Sequence, residues 1–177
     1  PAWHTAQAMI QLLIAALLFA VPQQNDVVIE ADHQEKEQNI SRANGNVVVT
    51  YQDMRIEADT VTYDDTTKIL DAGDHIRFTR GPEHLQADRI TVNLGTKEGT
   101  LTHISGELGP GFFVTATEAD RKQDGHYELR NATITTCDGQ RPGWTLALAR
   151  AVVNPNRHVS ARNSIFRFES VPLFYLP

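Results

Sequence analysis

Ile29-Glu30-Ala31-Asp32, Ile56-Glu57-Ala58-Asp59 and Leu85-Gln86-Ala87-Asp88 are three spellings of one motif, set 27 and 29 residues apart. After the second and third copies, apolar residues fall at Ile56, Ala58, Val61 and Tyr63, and at Leu85, Ala87, Ile90 and Val92. Side chains on a strand alternate between faces, so the step of three from Ala58 to Val61 and from Ala87 to Ile90 resets the inward face. Asp59-Thr60 and Asp88-Arg89 therefore each insert one extra residue, the mark of a β-bulge or corner where a strand bends. Tyr127, Leu129, Ala132, Ile134 and Thr136 carry the same parity shift. So do Val159, Ala161, Ser164, Phe166 and Phe168.

Turn signals punctuate this pattern. Gly45 precedes Val47-Val48-Val49, Gly73 precedes His75-Ile76-Arg77-Phe78, Gly81-Pro82 precedes Leu85, and Pro110-Gly111 precedes Phe112-Phe113-Val114. Half-polar runs between such signals, with no helical periodicity after Pro22, predict an all-β fold of repeated hairpins. A unit of about 28 residues supplies two strands but cannot bury its apolar face alone, so the units must stack, as in a jellyroll or solenoid. Such a stack has two ends, and end-to-end strand pairing with another chain is a physical expectation. The repeat aspartates Asp32, Asp59 and Asp88 are expected to hydrogen-bond their own corner backbone.

The rest of the composition narrows the function. The 177 residues fit one domain, and 16 Lys and Arg against 22 Asp and Glu give a net charge of -6, with no basic run that would serve nucleic acid. Residues 1–21 contain the apolar run Met9–Val21, closer to signal-peptide than to transmembrane length, so export is expected, with a retained membrane anchor or a buried apolar segment as the alternatives. The seven histidines never adopt H-x-H or H-E-x-x-H spacing, and no metal site is expected. Glu30 with Asp32, Glu57 with Asp59, and Asp64 with Asp65 read as solvated faces of a repeat rather than acid–base pairs. No serine sits in a nucleophile motif, so no enzyme and no cofactor are expected. Cys137 is the single cysteine, either buried and inert or paired with a cysteine outside this sequence.

Three stretches carry a family resemblance: Tyr127–Cys137, with its Thr135-Thr136-Cys137 ending; Pro142-Gly143-Trp144; and Val171-Pro172-Leu173-Phe174-Tyr175-Leu176-Pro177. They resemble the periplasmic N-terminal domain of the LptD (OstA, Imp) family of lipopolysaccharide-assembly proteins. Ala43–Val49 and Ile56–Asp59 resemble the OstA-like repeat shared with LptA and LptC. The resemblance implies a twisted β-jellyroll over residues 27–169, followed at 170–177 by a junction (Pro172, Tyr175, Pro177) toward a transmembrane β-barrel. It implies a role at the periplasmic face of the outer membrane, where an open apolar groove passes the acyl chains of lipopolysaccharide from an LptA-like bridge toward the LptD barrel and an LptE-like lipoprotein. Inward positions that would line the groove are Val47, Val49, Ile56, Ala58, Val61, Ile76, Phe78, Leu85, Ile90, Val92, Phe113, Ile134, Leu146, Leu148 and Phe166. An edge near residues 27–31 or 47–51 would receive the bridge. Members usually carry two cysteines here that bond to a pair near the barrel's end, and only Cys137 matches. An LptA-like bridge, or a dry structural solenoid that binds no lipid, are the alternatives.

Overall fold

The computed structural model describes residues 26–139, 141–154 and 158–177. The expected signal segment, 1–21, lies outside them. Among the described residues the chain forms twelve strands and no helix. They are β1 (Val28–Glu30), β2 (His33–Glu37), β3 (Ile40–Tyr51), β4 (Met54–Asp64), β5 (Ile69–Arg80) and β6 (Glu83–Asn93), then β7 (Glu98–Gly109), β8 (Phe112–Arg121), β9 (Tyr127–Thr135), β10 (Trp144–Asn154), β11 (His158–Phe168) and β12 (Val171–Leu176). From β3 onward each strand pairs antiparallel with its sequence neighbours, while β1 and β2 share the outer side of β3. This is the all-β jellyroll of stacked hairpins that the repeats predict.

The strands are longer than the turn signals suggested. Gly81-Pro82 and Pro110-Gly111 do separate strands, but Gly45 and Gly73 lie inside β3 and β5, at their corners. Gly45 is there because φ is +79° and a Cβ would stand 2.8 Å from Asp32 Oδ2. The parity reset is as read: in β4 Ile56, Ala58, Val61 and Tyr63 are buried while Asp59 and Thr60 both face out, and β6 repeats this around Asp88 and Arg89. In the ladders, however, the extra residue falls on the partner strand, where Gly45-Asn46 of β3 and Asp74-His75 of β5 bulge.

Odd-numbered strands from β3 to β11 each place a left-handed residue on this line: Asn46, His75, His103, Asn131 and Asn163, all with φ between 46° and 54°. Asn and His tolerate that conformation better than most residues. The repeat aspartates secure it, and not in the manner expected. Asn46 Nδ2 donates to Asp32 Oδ2 at 2.9 Å, His75 Nδ1 lies 2.7 Å from Asp59 Oδ2, and His103 Nδ1 lies 2.9 Å from Asp88 Oδ2. Each carboxylate grips the side chain of a left-handed residue farther along the chain, because the left-handed backbone turns that side chain back over the corner.

Bending at the corner folds the sheet onto itself. In the ladder, Tyr127 aligns through Arg121 and Gly99 with Val92 of β6, nine residues beyond Glu83. Along a straight strand that is about 30 Å. Yet Tyr127 Oη donates to Glu83 Oε2 at 3.0 Å, so the two halves of the strands face one another. Strands that are not ladder neighbours do not approach within 8 Å at Cα, as expected for layers about 10 Å apart. Between them the buried apolar side chains form one continuous cluster from Ala43 to Val153.

Candidate functional site

The space between the layers is aliphatic and mostly filled. Of the groove candidates, Val47, Val49, Ile56, Ala58, Val61, Ile76, Phe78, Leu85, Ile90, Val92, Ile134 and Leu148 are all buried within the cluster. Phe113 is a correction. Val114 and Ala116 point inward, so alternation turns Phe113 away, and Phe112 is the aromatic packed against the core. In an aromatic pair next to a turn, sequence alone does not reveal which member carries the inward parity.

Opposite the corner, the two layers meet at a mouth lined by Met54 and Phe78 from one side and Ile90, Val92 and Leu101 from the other. The free cavity there is about 30 Å³, room for one or two waters. A polar latch crosses it. Glu83, 6% exposed, accepts the Tyr127 hydroxyl and pairs with Arg80 at 3.1 Å. Burial, and then the charge of Glu83, push the Tyr127 phenol far above its usual range, so it remains a donor. Arg121 donates to the carbonyl of Lys97, while its Nε is buried without a partner among the described residues.

Toward the C-terminal end this apolar face opens. Leu146 and Phe166 are half-buried ladder partners. Trp144 stacks on Phe166 with ring centroids 6.0 Å apart, and Phe166 on Phe174 at 4.8 Å. Phe168 and Phe174 are each 51% exposed. Burying an aromatic of this kind is worth about 25 cal/mol per Å², so this partly uncovered stack is an apolar attractor. Trp144 was legible as a continuation of the Leu148–Leu146 alternation. Phe174 was not, because only the β11–β12 pairing brings it beside Phe166.

The sheet's two edges differ. At the first, β1 covers Val48–Thr50, so the 47–51 stretch is interior and 27–31 is the edge. Beside it β2, reading HQEKE, is fully exposed. At the other edge β12 is exposed throughout and apolar, with Val171, Leu173, Phe174, Tyr175 and Leu176 between 48% and 58% exposed. Residues 171–176, read as part of a junction, thus form the last strand of the sheet, and Tyr175 Oη bonds Asn163 Oδ1 at 2.6 Å. Pro172 lies at the β11–β12 register shift and Pro177 follows the strand.

Cys137 is unpaired and half-exposed just after β9. Backbone hydrogen bonding from Trp144, and then the Thr135 hydroxyl, lower its thiol pKa. Thr135 in turn donates to the Trp144 carbonyl at 2.7 Å, which ties the cysteine loop to the aromatic end.

Comparison with known proteins places these features. A family model described as "LptA/(LptD N-terminal domain) LPS transport protein" matches residues 28–143. The LPS-assembly protein LptD of Chromobacterium violaceum is 30% identical over 170 residues, covering 85% of this chain and 22% of that protein. That of Nitrosococcus oceani is 28% identical over 188 residues, covering 100% of this chain and 24% of that protein. The chain therefore spans about a quarter or less of these relatives' length. Among solved structures, LptH of Pseudomonas aeruginosa, titled the LptA homologous periplasmic component of the lipopolysaccharide transport device, aligns at 16% identity and a TM-score of 0.36. That alignment covers 78% of this chain and 83% of LptH. The motif copies, the folded hairpin sheet and the family match together make this chain a member of the LptA and LptD N-terminal-domain family of lipopolysaccharide transport proteins.

Proposed function

We propose that this chain is the periplasmic part of an LptD-like assembly protein and carries the acyl chains of lipopolysaccharide between its two layers, toward the outer membrane. The observation that carries this reading is the single apolar face that is packed from β3 into β10 and opens at one end, where Trp144, Leu146 and Phe166 are half-buried and Phe174 is exposed. Acyl chains gain the area-proportional hydrophobic term by covering that stack. Moving farther in requires the layers to part at the mouth, and therefore the Tyr127–Glu83 latch to open. The edge at β1 supports strand addition by an LptA-like bridge. The apolar edge at β12, with Pro172, Tyr175 and Pro177, supports continuation into the LptD barrel with its LptE-like lipoprotein. Cys137 supports a disulfide to a cysteine outside this sequence.

Site-specific photocrosslinking to lipopolysaccharide tests the reading, with the reactive group at Leu146, Phe166, Ile56 and Leu85 and outward controls at Glu57 and Arg89. Crosslinks at the inward positions alone are expected. Silence at all four in folded protein, or equal labelling of the controls, would return the chain to a dry scaffold.

A further inference from the structure

A second feature lies on the outer surface. Arg130 of β9, Arg150 of β10 and Arg162 of β11 are direct ladder partners, forming one row across three adjacent strands. All three are exposed and face out at the corner. They form one wall of an open depression of about 610 Å³, whose opposite wall is Glu128, Val152 and Ser160. These three are likewise ladder partners, one outward step farther along the strands.

Charges directly opposite one another on neighbouring strands stand about 5 Å apart at Cβ and repel when alike. Only one arginine of the row is compensated. Arg130 contacts Glu118 at 2.9 Å and Asp120 at 3.6 Å. Arg150 and Arg162 have no ion pair or side-chain hydrogen bond among the described residues. Glu128, the one carboxylate in the opposite wall, is turned to Lys122 at 3.2 Å and His126 at 3.8 Å. A chain of net charge -6 has thus concentrated uncompensated guanidinium charge in its depression.

We infer that this arginine row is a binding site for a phosphate-bearing anion. Planar guanidinium forks match phosphate oxygens two at a time, and an anion lying between Arg150 and Arg162 turns their mutual repulsion into attraction. The row spans two inter-strand spacings, about 10 Å, which suits a diphosphate or two phosphates on one headgroup better than a single phosphate. Ser160 supplies a hydroxyl donor and Val152, 40% exposed, an apolar flank. The site faces away from the interlayer space and does not rest on acyl-chain transport.

The test is NMR titration of the full chain with inorganic pyrophosphate, following the arginine Nε–H signals and the amides of Val152 and Ser160. Saturable shifts confined to that patch are expected, with affinity at least about tenfold weaker in Arg162→Gln and lost in Arg150→Gln/Arg162→Gln. No saturable shift up to about 10 mM, or binding unaffected by the double substitution, overturns the site. Competition identifies the source. Displacement by lipopolysaccharide or by phosphatidylglycerol vesicles marks a lipid headgroup, and binding that neither displaces marks a free phosphate compound. Thermal unfolding in low-salt, phosphate-free buffer is the independent check: Arg150→Gln is expected to leave Tm unchanged or raise it, and a fall would mean that the row is structurally satisfied without an anion.

Discussion

Replacing Tyr127 by Phe removes one oxygen from a residue that is 0% exposed and isolates what that oxygen does. Its hydrogen bond to Glu83 is the polar tie across the folded sheet, 3.0 Å long and made to a carboxylate 6% exposed. Hydrogen bonds to charged groups contribute about 1.5–3 kcal/mol, and an unsatisfied buried partner adds a penalty. Arg80, with its side chain 16% exposed, continues to pair with Glu83 at 3.1 Å, so the penalty is partly relieved and the expected loss is about 2 kcal/mol. For a domain of this size that is a fall in Tm of roughly 4–8 °C. Urea unfolding should show a lower midpoint with an unchanged m-value, because the surface exposed on unfolding is the same. The companion Glu83→Gln and the double variant complete a cycle, with an expected coupling of about 1 kcal/mol or more. A Tyr127→Phe loss below about 0.5 kcal/mol together with zero coupling would refute the latch. The same substitution is expected to increase crosslinking of lipopolysaccharide at Ile56 and Leu85, since less work parts the layers.

Other consequences are as specific. Ile56→Ala, at a fully buried position, should cost about 2–5 kcal/mol in chemical denaturation through the cavity it leaves. His75 has its pKa raised above 6.5, first by the hydrogen bond to Asp59 and then by that carboxylate's charge. Its contribution to stability is therefore complete below the unfolded value near 6.5 and disappears as pH rises through the folded value. An NMR titration should place His75 above 6.5, and Asp59→Asn should bring it back down. Mild oxidation of the isolated chain should yield only intermolecular dimers through Cys137, read by non-reducing electrophoresis, while monomers that lose their free thiol would contradict a partner lying elsewhere. Its lowered thiol pKa predicts faster alkylation at pH 7.5 than for a model thiol.

The fold was legible because its signal is periodic. Ile56, Ala58, Val61 and Tyr63 state both the strand and its bend, and no tertiary information is needed to see a parity reset. Less was legible wherever the meaning depends on which strands meet. Asp59 and His75 are sixteen residues apart, and nothing in either identifies the other as its partner. Glu83 and Tyr127, 44 residues apart, come together only because the sheet folds over. The apolar end was half legible: Leu146 and Phe166 follow from alternation, whereas the ring of Phe174 joins them only through the β11–β12 pairing. Phe113 was misplaced because a turn at Pro110-Gly111 removes the parity reference that the strand interior supplies. The arginine row escaped notice altogether, since Arg130, Arg150 and Arg162 align only once three strands are in register.

The meander topology has a consequence for size. Because each strand from β4 onward pairs only with its sequence neighbours, a hairpin is a modular unit of length, adding about 10 Å to the stack. Corners that repeat at the same level in every strand keep successive hairpins interchangeable at their seams. Reach can therefore be lengthened or shortened by whole hairpins without redesigning the interior, much as beads are added to a string. Excising β5 and β6 together with one connecting turn should leave a shorter molecule that still folds, lacking the latch that Glu83 provides.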